Sequence, residues 1–277
     1  MVNPSIAAQS QETPERQNRA QALFEKLSLG QSPVQADFYQ FDFSNLNLQQ
    51  INLTQAILLR ANLQGADLSN ASLQEADLRG ADLSGSVLRQ SNLGGACLYR
   101  ANLCGADLTG ADLMGAKLQN ARYDSKTKFP SDFAYRSSGA IGPGATLNGA
   151  PLNTANLKQA DLHGASLLGA YLGGADLTGA NLSYARLVQA DLRSAWLTGA
   201  FLRGARLNGA NLAGVDLRAA DLTDTEFEQF ESIAGADFTQ VQGLTESMRA
   251  TLLKQPAHEL DTPHPLTLHT TRESLIR

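Results

Sequence analysis

The sequence contains few cysteine and aromatic residues. Its 277 residues include only two cysteines, Cys97 and Cys104, which make no disulfide framework and favour a reducing compartment. Aromatic residues make up 6% of the chain, so its core has to be built from alanine and leucine. The start of the sequence lacks a secretory signal, and no stretch reaches the ~18 apolar residues of a membrane-spanning helix. We therefore expect a soluble, cytoplasmic protein without a membrane partner.

Strong charge and catalytic motifs are also missing. The net charge is −5 and the pI about 5.4, so no global attraction to nucleic acid is expected. The sequence contains no phosphate-binding loop, no dinucleotide-binding fingerprint and no cluster of residues with metal-ligand spacing. We predict that the protein is not an enzyme and that it has no catalytic residue, no cofactor and no metal site.

What the chain does contain is a repeat with a period of five. An apolar residue occupies every fifth position from Phe38 to Tyr123, and again from Leu147 to Phe227. We call this position i; position i−2 is mostly alanine. A period of five matches neither the 3.6-residue helix nor the two-residue strand, but it suits a short extended segment followed by a turn. Positions i−2 and i then point inward, and positions i−1 and i+1 point outward.

The other positions of the repeat carry turn-forming residues. Position i−1 is mostly Asp or Asn, whose side chains bond to nearby backbone groups and favour turns. Position i+2 is rich in glycine, which tolerates the backbone angles of a corner. Units such as ADLTG, ADLSG and ANLQG resemble the A(D/N)LxX consensus of the pentapeptide repeat family, over residues 36–123 and 145–227.

The resemblance implies an all-β solenoid. Members of this family, abundant in cyanobacteria, form a right-handed quadrilateral β-helix with four pentapeptide units in each coil. The open ends of such a coil need covering, and we expect short α-helical caps at both ends. At the N-terminal end, Thr13, Pro14 and the apolar face ending at Leu27 predict a helix over 13–30.

These features divide the chain into five segments. The break at residues 124–144, which contains Pro, Gly and several aromatic residues, is either a loop folded along the solenoid or an element that docks a partner. A second capping helix is predicted from Thr245 to before Pro256, and residues 257–277 are expected to be disordered. The segments are an N-terminal segment with its helix (1–35), a first array (36–125), an interrupting loop (126–144), a second array with a degenerate end (145–244), and a C-terminal helix with its tail (245–277).

Without catalytic groups, the function is expected to be binding. Some members of the family mimic DNA and bind topoisomerase (gyrase), which requires a dense negative surface because duplex DNA carries one charge per ~1.7 Å. Here residues 36–123 contain eight acidic and six basic side chains, and residues 145–227 contain seven and six. This near-neutral surface makes the DNA-mimic hypothesis the alternative, and a scaffold that binds an unknown protein the preferred interpretation. A homodimer through a solenoid end is left open.

One region of the second array departs from the pattern and is our candidate partner-binding site. Arg186 and Arg206 are both at i−1 and four units apart, so they are expected to stack on successive coils. Trp196 and Phe201 replace the usual Asp or Asn, which places large apolar groups outside. Exposed aromatic residues beside arginine are typical of interaction hot spots, although solvated arginine on aromatic rings is the simpler interpretation. The candidate site consists of Tyr184, Arg186, Trp196, Phe201, Arg203 and Arg206.

Overall fold

A computed structural model of the protein describes residues 34–227 and 229–276. The chain divides into two compact units, Met1–Ala140 (unit 1) and Ile141–Arg277 (unit 2). The described helices are a short 3₁₀ helix, Tyr135–Ser137, in unit 1, and α1 (Glu246–Leu252), α2 (Ala257–Leu260) and α3 (Thr271–Ile276) in unit 2. The N-terminal helix predicted over 13–30 lies outside the described residues.

Both arrays are built from parallel bridges that join each unit to the fourth unit after it. Each unit contributes one bridged residue, its i−1 residue, so four units make one coil and the bridged residues form four ladders. The ladders of unit 1 are 37–57–77–97–117, 42–62–82–102–122, 47–67–87–107–128 and 52–72–92–112. Those of unit 2 are 146–166–186–206–226, 151–171–191–211–232, 156–176–196–216–237 and 161–181–201–221–242.

Backbone hydrogen bonds explain why the sequence repeats as it does. In the unit 66–70, three backbone N–H groups donate to neighbouring coils and the N–H of Ala66 closes a turn onto Leu63. The fifth N–H, that of Ser69, donates to the side chain of Asp67 at 3.0 Å. Every backbone donor of the unit is thereby satisfied, which buried and half-buried backbone requires. The Asp or Asn at i−1 therefore completes the hydrogen bonding of its own unit.

The core of each array is a stack of leucine and alanine. The leucines at i and the alanines at i−2 are almost all inaccessible to solvent. Two units of the first array have serine in place of alanine, at Ser86 and Ser91. Both hydroxyls donate to backbone carbonyls, those of Leu83 and Leu88, at 2.8 and 2.7 Å, so neither buried polar group lacks a partner.

The break between the arrays is an ordered element. Asp107 is bridged to Lys128 and not to Thr127, where the period of the repeat would place the bridge, so one extra residue is accommodated there. The carboxylate of Asp124 accepts the backbone N–H of Gly105 at 2.9 Å, which fastens the segment to the preceding coil. Farther along, the rings of Phe129 and Tyr135 stack with their centroids 4.6 Å apart.

The second array continues past the point where its sequence degenerates. The bridges from Asn211, Asp216 and Asp221 each reach one position farther along the chain than the period requires, because a residue is inserted after position 226. Helix α1 follows, with the Thr245 hydroxyl accepting the backbone N–H of Met248 at its N-terminus.

The expectation of a disordered tail at 257–277 is wrong. Residues 257–276 contain α2 and α3, and Leu260 and Leu275 are each only 1% exposed. The tail is ordered because it satisfies the edge of the last coil. The Glu259 carboxylate accepts the N–H of Ile233 at 2.7 Å, and the Thr271 hydroxyl donates to the Ile233 carbonyl at 3.0 Å. The first bond occupies a backbone N–H that would otherwise donate to a further coil, and the second adds to the turn bond that the same carbonyl accepts from the N–H of Ala236 at 2.9 Å.

Candidate functional site

The candidate surface lies on two ladders of unit 2. Arg186 and Arg206 are bridged to each other, so the expected stack on successive coils is confirmed. Phe201 lies in the ladder between Asn181 and Asp221, and its side chain is 52% exposed. Since the other residues of that ladder are Asp, Asn and Gln, a large exposed ring here is the exception and not part of the repeat.

Tyr184 occupies a corner between these two ladders. It stands at i+2 with a positive φ of 59°, and 59% of it is exposed. Its ring meets the edge of the His163 imidazole, with centroids 5.5 Å apart, and also lies over the backbone of Gly204. A Cβ atom added to Gly204 would come within 2.7 Å of the ring. The glycine therefore makes room for the tyrosine.

The charges of this surface are only partly neutralised. Arg206 forms an ion pair with Glu226 at 2.7 Å, and Arg203 lies 3.8 Å from Asp224. Hydrogen bonds from the Thr223 hydroxyl and N–H hold the pKa of Asp221 below its ordinary value, and the positive charge of Arg203 adds to this effect.

The guanidinium of Arg186 differs from its neighbours. It makes no hydrogen bond or ion pair with any residue in the described part of the chain, and the side chain is exposed. Arg186 thus carries a positive charge that no described residue compensates, two residues after Tyr184 and in the ladder adjoining that of Phe201.

Not all of the predicted site residues come together. Trp196 is 46% exposed but lies in a different ladder, between Asp176 and Asp216. Tyr171, which sequence reasoning does not select, is 53% exposed in the remaining ladder. It stands at i−1 in the unit AYLGG, so the same departure from Asp or Asn that reveals Phe201 could have revealed it.

A unit with an aromatic residue or arginine in place of Asp or Asn at position i−1 loses a hydrogen bond. Where i−1 is Asp or Asn, its side chain accepts the N–H of the residue at i+1, as Asn181 does from Ser183 at 3.1 Å. Phe201 and Arg186 provide no such acceptor, so the repeat gives up a contact of about 1 kcal/mol in each unit. Residues that weaken the scaffold locally are candidates for a role other than stability.

A substitution at Gly204 tests how Tyr184 is held. Gly204→Ala places a methyl group where the Tyr184 ring lies, at a residue with φ of 64°. We expect a loss of about 1 kcal/mol from the left-handed backbone and a further ~1–3 kcal/mol from overpacking, measured by urea unfolding. The ring is also expected to move, which changes the NMR shifts of His163.

Gly199→Ala is the matched control, because Gly199 has a φ of 63° and its added Cβ meets no atom within 4 Å. It should lose only the backbone contribution. Adding Tyr184→Ala to Gly204→Ala should remove the overpacking and bring the loss down to that of the control. Equal losses for the two single glycine variants would show that Tyr184 does not rest on Gly204.

The surface offers little for catalysis. The carboxylate of Asp161 accepts the backbone N–H of His163 at 3.2 Å and the Asn181 amide at 3.2 Å, while the His163 ring packs on Tyr184. Among residues 34–227 and 229–276, no three His, Cys, Asp or Glu side chains are grouped to hold a metal ion. In the same residues, no helix has the length and apolar content needed to span a membrane.

Comparison with protein families gives one match. The family model described as pentapeptide repeats matches the chain in 8 copies, over residues 36–74, 66–103, 91–122, 155–193 and 185–224. These ranges together span more than half of the chain. No curated protein matches the sequence.

Several solved structures are similar to the chain. HetL, a pentapeptide repeat protein involved in heterocyst differentiation regulation in the cyanobacterium Nostoc sp. strain PCC 7120, is 29% identical over 79% of this chain and 92% of its own, with a TM-score of 0.30. The protein alr5209 from Nostoc PCC 7120 is 36% identical over 44% of this chain and 94% of its own, with a TM-score of 0.31. Full-length QnrB1, a plasmid-mediated fluoroquinolone resistance protein, is 21% identical over 69% and 90%, with a TM-score of 0.35. TM-scores of this size establish no shared fold, so the fold assignment rests on the family match and on the bridge ladders.

Proposed function

The chain belongs to the pentapeptide repeat family, and on that basis we propose that it is a non-catalytic scaffold that binds another protein through unit 2. Repeats of this family form a right-handed β-helix solenoid, in which outward residues are free to vary while inward residues are fixed by packing. The binding surface consists of Tyr184, Arg186, Phe201, Arg203 and Arg206, with Trp196 on the neighbouring ladder as an additional contact. A cytoplasmic location remains a prediction from the sequence.

One observation carries this proposal. The guanidinium of Arg186 has no partner among the described residues, and the ladder of Arg186 adjoins that of Phe201 with Tyr184 at the corner between them, these two rings being 52% and 59% exposed. Aromatic residues and arginine are the side chains that contribute most to protein–protein affinity. In an array whose outward residues are otherwise mostly small or polar, their grouping favours a docking site over a solvated surface.

The proposal is tested by restoring the repeat. Phe201→Asn and Arg186→Asn together bring both units back to the family pattern and supply the missing side-chain acceptors, so the melting temperature should stay the same or rise. Affinity purification from the native host, quantified by mass spectrometry, should recover a defined partner with the wild-type protein. The double variant should recover that partner at least about tenfold less.

Asn52→Asp serves as the control, because it exchanges one repeat-compatible residue for another in unit 1, where its bridged neighbour is Ser72, and should leave recovery unchanged. Equal recovery by the double variant would contradict the proposal. So would inhibition of gyrase supercoiling at low micromolar protein, which the alternative function predicts.

The alternative, a DNA-mimicking topoisomerase-binding protein, has weaker support. Several of the acidic side chains at i−1 are engaged within their own units instead of forming a free negative surface. Arg79, Arg193 and Arg218 each make two side-chain hydrogen bonds to the Asp two residues earlier. This pairing cancels charge at the positions where a DNA mimic would display it.

A homodimer through a solenoid end stays a prediction. At the C-terminal end of unit 2, the tail already bonds to backbone groups of the last coil, including the N–H of Phe238, which donates to the Ser274 hydroxyl at 3.0 Å. A second copy would have to displace the tail to pair with that coil.

A further inference from the structure

Unit 1 carries an outward surface that the interaction site of unit 2 does not involve. Ile57, in the ladder 37–57–77–97–117, is 40% exposed. Leu59 and Tyr99, which stand two residues after ladder members, also face outward and are half-buried. The outward residues of the other three ladders of unit 1 are mostly polar. Two units of this side therefore carry apolar residues where the repeat calls for Asp, Asn or Ser, and the coil between them presents the Asp77–Arg79 ion pair.

This side is bordered by a positively charged corner. The corner residues that follow this ladder are Gln40, Arg60, Gly80, Arg100 and Asn120, all with positive φ. Two of them are positive and none is negative. The side chain of Arg60 makes no hydrogen bond or ion pair with the residues that the structure describes, and the described contact of the Arg100 guanidinium is with the face of Tyr99, 5.1 Å from the ring centroid.

The carboxylate on the coil between the two arginines does not neutralise this corner. Asp77 is held by two hydrogen bonds from Arg79, at 2.7 and 2.6 Å, which lower the pKa of its carboxyl. Its charge is therefore compensated within its own unit. A partner that meets Arg60 and Arg100 has to supply negative charge of its own.

The spacing of the two arginines restricts the shape of that partner. The units AILLR (56–60) and ACLYR (96–100) lie two coils apart, with the smaller corner residue Gly80 between their arginines. Two coils correspond to ~10 Å at the usual separation of neighbouring strands. A polyproline II segment advances ~3.1 Å per residue with three residues per turn, so side chains three apart point the same way ~9 Å apart. Proline-rich segments usually dock against aromatic side chains, and Tyr99 supplies one here.

We propose that this surface of unit 1, formed by Ile57, Leu59, Tyr99, Arg60 and Arg100, binds an acidic, extended protein segment with carboxylates at every third residue. The carboxylates contact Arg60 and Arg100, the residues beside each carboxylate contact Ile57, Leu59 and Tyr99, and the residues between the carboxylates pass over Gly80. The surface is independent of the unit 2 site and binds a partner of opposite charge to the one that a DNA mimic would bind.

Fluorescence anisotropy with a fluorescein-labelled peptide of repeated Glu-Pro-Pro tests the proposal. The full-length protein should bind this peptide in physiological salt, more tightly than a peptide of the same composition with all its Glu residues adjacent. A peptide with Lys in place of Glu should not bind. Arg60→Gln with Arg100→Gln should weaken binding at least about tenfold. Gln40 occupies the same corner with a φ of 55°, so glutamine fits there and the melting temperature should not change.

The tests of the unit 1 surface and of the unit 2 site are independent of each other. The Phe201→Asn and Arg186→Asn variant should bind the Glu-Pro-Pro peptide as the wild type does, because its changes lie in unit 2. Absence of binding by the wild type, equal binding by the Arg60→Gln and Arg100→Gln variant, or equal binding of both acidic peptides would overturn the proposal. Tighter binding of a single-stranded DNA of the same length would overturn it as well, by assigning the surface to a nucleic acid.

Discussion

Leu275→Ala is expected to lower the free energy of unfolding of the C-terminal end of unit 2 by about 3 kcal/mol, within the roughly 2–5 kcal/mol typical of such core truncations. Leu275 is 1% exposed in α3, and its carbonyl accepts a hydrogen bond from the guanidinium of Arg249. Truncating the Leu275 side chain leaves a cavity under the tail. The tail is held to the last coil by few apolar side chains. Native-state hydrogen exchange should show the loss at the amide of Phe238, because that N–H donates to Ser274 in the tail.

The neighbouring residue provides the control. Ile276 is 70% exposed, so Ile276→Ala removes a similar side chain without opening a cavity and should change the stability by no more than about 0.5 kcal/mol. If exchange at Phe238 is as fast in the wild type as in Leu275→Ala, the tail does not protect the last coil.

Leu83→Ala is expected to have an effect of the same size within the first array. Leu83 is fully buried, and so are Leu63 and Leu103, the residues at the same position in the coils before and after it. Removing its side chain leaves a cavity in a stack that cannot collapse, since the backbone of each coil is fixed by hydrogen bonds to its neighbours. We expect a loss of about 3 kcal/mol, measured by urea unfolding.

Leu83→Met is the matched comparison, because methionine nearly conserves the volume of leucine and should cost less than about 1.5 kcal/mol. Similar losses for the two variants would indicate that packing at this position does not limit the stability of the array.

The period of the repeat is enough to predict the coil, because a local pattern sets both the turns and the inward positions. The sequence also indicates why Asp and Asn recur: residues such as Asp67 bond to the backbone of their own unit, which is again a local effect. The helix after Thr245 begins as its capping residue indicates, for the same reason.

The tail cannot be predicted in this way, because its order depends on distant contacts. Residues 257–276 have short helices and few apolar residues. Glu259 and Thr271 are ordered by bonds to Ile233, which lies far earlier in the chain. A segment whose stability comes from the edge of a distant coil looks disordered when considered alone.

The candidate sites are only partly predictable. Sequence reasoning selects Phe201 and Arg186 because they replace Asp or Asn, and the bridge ladders place them where it expects. It groups Trp196 with them, although Trp196 belongs to another ladder. It overlooks the unit 1 surface, whose signal is the recurrence of an outward apolar residue and a corner arginine in AILLR and ACLYR, two coils apart.

The ladder geometry also determines how the length of such a chain can change. A deletion of one whole coil within unit 2 would bring each residue above it down one level in the same ladder, so every vertical neighbour would keep the same orientation. A deletion of a single pentapeptide between Arg186 and Arg206 would keep the inward leucines in place but rotate all later residues by one ladder. Arg206 would then no longer lie above Arg186, and a surface assembled from successive coils would be taken apart without any loss of core packing. Whole coils, and not single pentapeptides, are therefore the segments that can be gained or lost while a binding surface is retained.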